Sequence, residues 1–413
     1  MIERLHQISV FDILSEPFKI DKPIRLIELF AGIGSQAKAL KRLGADFEHY
    51  RVCEFDKYAI KSYNAIHGTD FVKSDVTQIT ADDLGIVEPD KYCYMLTYSF
   101  PCQDLSLAGK QKGMTKGENT RSSLLWEVER LLNECEHLPQ VLLMENVTQV
   151  HGKKNKENFD EWIKFLESKG YSNYWQDLNS KGYGIPQNRN RTFMVSVLGD
   201  YTYEFPQEFP LKLRLKDMLE DSVDEKFYLS GKALEYISKR VGMYTQICDE
   251  ETETTKCAIT AQGNANWTGN FIATPKVDIA FNLYDEGCKG FTRSSGEILK
   301  PSGICNTLQT MQGGHREPKI IEPLALDEQN GYIRKCGTVG TLTTDGSSPK
   351  HNNRVIEGSR IRKLTPKECF RLMGFDDADF EKAAELNSNS QLYKQAGNSI
   401  VVDVLYYIFK QMF

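Results

Sequence analysis

The 413-residue chain lacks several features that would settle its class at once. It has no apolar run near the ~18 residues that a membrane-spanning helix requires. Its opening, "MIERLHQISVFDILSEPFKI", carries scattered acids in place of the continuous apolar stretch of a secretory leader. A membrane partner and a secreted product are both disfavoured, and a cytoplasmic location is expected. Ten cysteines are present, yet none form C-x-x-C and no histidine stands close enough to complete a zinc spacing. No metal is expected, and the thiols are expected to be reduced. Excess positive charge is missing too. With 51 Lys and Arg against 57 Asp and Glu, the formal net charge is −6. That excludes a generally polybasic binder and leaves room for a localised basic cleft.

What the chain does have, in its first half, is alternation. Strand-like "IRLIELF" (24–30) ends in the turn "AGIG", and "SQAKALKRLG" (35–44) follows with Ala37, Leu40 and Leu43 on one helical face. "HYRVCEF" (49–55), "DFVKSDV" (70–76), "KYCYMLTYSF" (91–100), "VLLMENV" (141–147) and "RTFMVSVLG" (191–199) read as further strands. Helical patterns lie between them at 56–68, 122–137 and 158–171. This order predicts an α/β fold with an open, doubly wound, mostly parallel sheet. From 201 to 359 the chain turns Thr-, Gly-, Asn- and Pro-rich, with short strand-like pieces, which predicts a smaller, irregular β-rich domain. Helical character returns at 365–375 and 402–413. The division expected is therefore 1–200 plus 360–413 as one domain and 201–359 as an insertion. Three loosely similar stretches within it begin "AITAQG", "CNTLQT" and "GTLTTD". They read as three hairpins of one domain or as three related recognition elements.

Chemistry gathers at the strand ends. A Gly-rich turn between strand and helix lets backbone N–H groups approach a cofactor, although "FAGIG" lacks the full G-x-G-x-x-G spacing. Glu54, about twenty residues on, suits a ribose hydroxyl pair. Phe55 beside it can stack on a base, and Asp75 can accept from an exocyclic amine. The set describes a grip on adenosine with no demand for phosphate. "SFPCQ" places Cys102 just past another strand, at the carboxyl edge where ligands bind in such sheets. On local context alone, that thiol is equally a nucleophile or a small core residue.

In order, the chain carries "FAGIG", "SFPCQ", "ENV" (145–147), "QNRNR" (187–191), "RKLTPKECFRLMGF" (362–375) and "QLYKQAGNS" (391–399). This series resembles the DNA cytosine-5 methyltransferases, which use S-adenosylmethionine. The resemblance covers about 24–200 and 360–413, and the segment between "QNRNR" and "RKLTP" occupies the place of the family's target-recognition domain. It implies a Rossmann-like catalytic domain, a double-stranded DNA substrate, a flipped-out cytosine, action as a monomer, and in some settings a separately encoded restriction endonuclease. A rival class acting on transfer RNA usually shows "PPCQ", a "CFT" element and a short variable segment, whereas this chain has "FPCQ", "CFRLMG" and a long one. A catalytically silent DNA-binding regulator on the same fold would have no use for Cys102 or Glu145.

The resemblance also assigns roles. Cys102 would add to C6 of cytosine, and nearby positive charge should help its thiol to ionise. Glu145 would serve N3 and the N4 amine, a role that requires a raised pKa or a shared proton, and Arg191 would contact O2. Arg189 would order the site and Asn146 would hold the loop. Phe30, Ala31, Gly32, Ile33, Gly34, Glu54, Phe55, Asp75, Val76 and Pro101 would line the cofactor pocket, which Asn398 and Ser399 close from the far end of the chain. Phe55 stands where relatives often carry Trp, and Ser99 where Gly is frequent. Gln103 and Ser106 would contact DNA, beside a Gly-rich, basic stretch (109–121) suited to a lid that closes over it. Arg293, His315, Arg316, Lys350 and Arg354 are the candidates for DNA contact in the insertion.

Overall fold

The computed structural model describes residues 15–102, 105, 113–117, 120–213, 215–227 and 364–413, and between 279 and 363 the backbone of six strands. The main sheet has six strands. β1 (Ile24–Leu29), β2 (Phe47–Cys53), β3 (Cys93–Tyr98) and β4 (Val141–Asn146) run parallel, with β5 (Tyr171–Asn179) and β6 (Asn190–Leu198) completing the order β2-β1-β3-β4-β6-β5. β6 is antiparallel to both β4 and β5. Strands buried on both faces read as continuous apolar runs, and β3 and β4 are buried at every position.

Helices connect and cover these strands. α1 (Ser35–Leu43) starts from Gly34 and stops at Gly44, each in the left-handed region that glycine tolerates. α2 (Lys57–His67) is capped by Asp56, whose carboxylate accepts from the Tyr58 amide at 2.8 Å. α3 (Leu125–Glu134) and α4 (Lys156–Ser168) bring Trp126 and Trp162 onto the sheet, where they pack with Tyr98 and Phe159. Four C-terminal helices follow: α5 (Pro366–Arg371), α6 (Asp377–Ala384), α7 (Asn389–Asn398) and α8 (Val402–Lys410). α8 lies on α1, where Arg42 pairs with Asp403 at 3.0 Å.

The chain divides into two compact units. One is Met1–Leu213, Asn306–Gln312 and Pro366–Phe413; the other is Arg214–Cys305 and Gly313–Thr365. In the second unit β7 (Ile279–Asn282), β8 (Glu297–Leu299), β9 (Lys319–Asp327), β10 (Tyr332–Arg334) and β11 (Arg354–Lys363) form one mixed sheet, with β9 pairing β8, β10 and β11. Most of the three similar stretches lies outside the described residues.

Three features differ from the sequence reading. Residues 70–76 form no strand: the segment is tied back by the Ser74 amide on the Glu54 carbonyl at 3.0 Å, and Val72 is 79 % exposed. Cys102 consequently follows the third strand of the sheet, not the fourth. An additional strand, β5, lies at the sheet's far edge, where its exposed face admits polar residues.

Candidate functional site

Strand register builds the site. Leu29 of β1 lies beside Tyr98 of β3, Tyr98 beside Met144 of β4, and Glu145 and Asn146 opposite Phe193 and Thr192 of β6. The carboxyl ends of β1, β3 and β4 are therefore level, and β6, running the other way, begins at the same edge. Phe30–Gly34 and Ser99–Cys102 leave the sheet there, and Glu145 and Arg191 are strand residues at the same edge. The chain turns to β2 on one side of β1 and to β3 on the other, so this edge holds the switch in strand order where α/β sheets bind ligands.

The glycine turn is an unusual piece of backbone. Phe30 (φ 58°), Gly32 (φ 59°) and Gly34 (φ 81°) all adopt left-handed conformations, and Phe30 is the one non-glycine residue to do so among the described residues. A Cβ at Gly32 would meet no atom within 4 Å, so the turn opens onto free space. Glu54 fixes this turn to the next. Its two carboxylate oxygens each accept at 2.7 Å, one from the Gly32 amide and one from the Asp56 amide. Burial holds its pKa above the usual range, against the pull of those two amides. Phe55 projects with 65 % of its surface exposed, and the Lys73 ammonium sits 4.9 Å from its ring centre. Asp75 turns onto Thr77, accepting from its amide at 3.0 Å and its hydroxyl at 2.9 Å. Val76 is buried in the core, and Ala31 packs against Ile60 and Tyr63.

This edge fits S-adenosylmethionine on its own geometry. The turn is open at Gly32, where an added Cβ would meet no atom within 4 Å, and carboxylate lone pairs remain on Glu54 to accept from hydroxyl groups. The exposed Phe55 ring offers an aromatic surface on which a base can stack. No group of His, Cys, Asp and Glu suited to a metal occurs among the described residues.

Some residues past the third strand are held by main-chain carbonyls. The Asn146 amide donates to the Phe100 carbonyl at 2.9 Å, and Ser122 donates to that of Pro101 at 2.7 Å. Together they peg the segment carrying Cys102. Glu145 is 7 % exposed, and the Arg191 guanidinium reaches it at 3.2 Å. Burial raises the Glu145 pKa, while Arg191 and then Arg189 pull it back. The Cys102 thiol is also raised by burial; Arg191 opposes this most strongly, with Arg189 acting in the same sense and Glu145 against. Positive charge is thus present beside the thiol, but desolvation outweighs it.

Arg189 is fully enclosed. Burial first, then Arg191, lowers its pKa to about 9, which leaves it charged at neutral pH. It donates to the carbonyls of Gly397 (3.3 Å) and Ser399 (2.7 Å). The Ile400 amide in turn donates to Ser35 Oγ at 3.3 Å, next to the glycine turn. Asn398 and Ser399 are thereby brought to both groups. Two further residues of the quoted motifs, given no role in the sequence reading, reinforce this. Lys394 pairs with Asp56 at 2.7 Å, and Gln187 donates to the Leu372 carbonyl at 2.7 Å. Asp56 stands just ahead of "KYAIKSY", where a helix cap is expected; Lys394 lies within "QLYKQAGNS", but nothing in that motif pointed to Asp56 as its partner. Gln103, Ser106, Arg293, His315, Arg316 and Lys350 lie outside the described residues, and Arg354 is placed only as a backbone position opposite Leu326.

Residues 24–413 match the family model described as C-5 cytosine-specific DNA methylase. The chain is 31% identical to the type II methyltransferase M2.ScrFI of Lactococcus lactis subsp. cremoris, over 94% of this chain and 99% of that one. It is 30% identical to the orphan methyltransferase M.SPBetaI of Bacillus phage SPbeta, over 94% and 97%. Its fold is similar to that of the Entamoeba histolytica methyltransferase EhMeth (TM-score 0.61, 15% identity, 95% of this chain and 98% of that one). It is also similar to that of the S. pombe Dnmt2 methyltransferase (TM-score 0.58, 18% identity, 95% and 98%).

Proposed function

The chain belongs to the C-5 cytosine-specific DNA methylase family, whose members use S-adenosylmethionine as methyl donor, and we propose that it methylates cytosine within a specific duplex sequence through a covalent adduct on Cys102. One observation carries this reading: a thiol, a buried carboxyl group and two guanidinium groups influence one another at the sheet edge that also holds the glycine turn.

Cytosine C5 is too poor a nucleophile to take a methyl group unaided. The Cys102 thiolate adds to C6, the C5–C6 π electrons move to C5, and negative charge grows toward N3 and O2. Glu145, whose pKa burial raises against the pull of Arg191 and Arg189, serves as the acid at N3 and accepts from the N4 amine. Arg191, already 3.2 Å from Glu145, serves O2. The Phe30–Gly34 turn, Glu54, Phe55 and Asp75 would hold S-adenosylmethionine, which would supply the electrophilic methyl group taken up by C5 and leave as S-adenosylhomocysteine. Loss of the C5 proton to a base then expels the thiolate. Arg189 fastens Gly397–Ser399 to the catalytic end, and Asn146 keeps the cysteine segment against β4.

The insertion 201–359 is the proposed sequence reader, approaching a duplex from which the base has been flipped. Action as a monomer is part of the same proposal, and a DNA substrate supports a cytoplasmic setting. The type II relative favours pairing with a separate endonuclease, and the orphan relative favours a solitary enzyme. Methylation sequencing of plasmid from cells producing the protein tests the reading. 5-Methylcytosine within one motif is expected. None at all would overturn the proposal, and several unrelated motifs would establish more than one specificity.

A further inference from the structure

His67 closes α2 and takes no part in the chemistry above. Its Nε2 lies 3.0 Å from the Ile33 carbonyl, in the middle of the glycine turn. A carbonyl can only accept, so the imidazole carries its proton on Nε2. Burial drives the pKa of His67 down to about 3, which makes it a neutral donor at any working pH.

The ring is held from two sides. Tyr63, one helical turn earlier on α2, packs against it with ring centres 4.6 Å apart, and His49 of β2 lies 5.0 Å away. Tyr63 is itself anchored: its hydroxyl bonds to buried Glu28 of β1 at 2.5 Å and meets His49 Nδ1 at 2.8 Å. The fit against the turn is close. A Cβ on Gly34 would fall 2.2 Å from His67 Nε2 and 2.7 Å from Tyr63 Cε2. A backbone with three left-handed residues in five persists only where its surroundings hold it. Here the Gly32 amide is held by Glu54 from one side and the Ile33 carbonyl by His67 from the other.

We infer that His67 is a positioning residue for the methyl donor: its Nε2–H bond to Ile33 holds the Phe30–Gly34 turn in its binding conformation. The inference rests on the proposed cofactor site. His67 acts on affinity for the cofactor, leaving the groups at Cys102 and Glu145 as they are.

Two variants of matched length separate the hydrogen bond from packing. His67→Gln keeps an Nε2 donor at the same reach, and His67→Met fills the space without one. Binding of S-adenosylhomocysteine is measured by calorimetry on the full chain. His67→Met should weaken it about tenfold and His67→Gln by no more than about twofold, with kcat at saturating donor unchanged in both. Equal affinities for the two variants, whether both strong or both weak, would overturn the role of the donor. Wild-type protein that fails to bind S-adenosylhomocysteine would instead overturn the cofactor site itself. If His67→Met does not fold, ¹⁵N spectra of the wild-type imidazole provide the test. A neutral Nε2–H tautomer whose resonance moves on ligand binding is expected, and an Nδ1–H tautomer or an unmoved resonance would contradict the inference.

Discussion

Two carboxyl groups occupy matching places in the sheet and meet different fates. Glu28 is the penultimate residue of β1 and Glu145 the penultimate residue of β4, and both are removed from water. Burial pushes Glu28 up to about 7, opposed mainly by the neutral Tyr63 hydroxyl. Burial raises Glu145 as well, but Arg191 and Arg189 stand beside it and draw the value down again. One carboxyl accepts from the Tyr63 hydroxyl inside the sheet; the other stands beside guanidinium groups and a thiol. Position in the strand confers burial, and the neighbours decide whether the buried acid becomes scaffolding or reagent.

The comparison breaks most sharply at turnover. Glu145→Gln should lower kcat by ~10²–10⁴-fold, the usual worth of a general acid, while S-adenosylhomocysteine affinity is unchanged. Steady-state kinetics beside calorimetry checks this, and an equal loss in both would make Glu145 a structural residue like Glu28. Glu28→Gln should act on stability alone. Between the unfolded value of ~4.3 and the folded value of about 7, the unfolded chain is ionised at this residue and the folded chain is not, so wild-type stability falls as pH rises through that window. The amide variant cannot lose a proton. It should gain on the order of 1–3 kcal/mol over wild type at pH 8, relative to the difference at pH 4. Urea melts at both pH values measure this, and parallel behaviour of the two proteins would show that Glu28 is not held protonated. The smallest effect belongs to the exposed ring. Phe55→Ala should weaken donor binding by about 3–10-fold, in line with ~0.5–1.5 kcal/mol for aromatic stacking. It should leave kcat at saturating donor intact, and a kcat defect would tie Phe55 to the catalytic end.

The legible and illegible parts of the chain divide along similar lines. Cys102, Glu145, Arg189 and Arg191 sit in short motifs at strand ends, and a parallel sheet carries strand ends to one edge whatever lies between. β1, β3 and β4 announced themselves by runs of buried apolar residues. β5 was hidden because an edge strand tolerates "SNYWQD" on an open face. Residues 70–76 carried a strand-like pattern but pair with no strand, and are tied instead to the Asn64 side chain and the Glu54 carbonyl. The Glu28–Tyr63–His49–His67 group was invisible for another reason. Each member is polar and reads alone as a surface residue, and only the packing of α2 on β1 and β2 gathers them. The residues expected to read DNA lay in the insertion, where composition marks a β-rich domain without fixing which side chains face a groove.

The central claim is that Cys102 attacks the target base. A duplex containing the methylated motif with 5-fluorocytosine at the target tests it directly, because fluorine at C5 cannot leave as a proton does. Incubated with S-adenosylmethionine, the wild-type protein should form a stable adduct whose mass equals protein plus methylated duplex, mapped by peptide sequencing to Cys102. Cys102→Ser should form none while still binding S-adenosylhomocysteine. An adduct that persists in that variant, or that maps to another cysteine, would contradict the account.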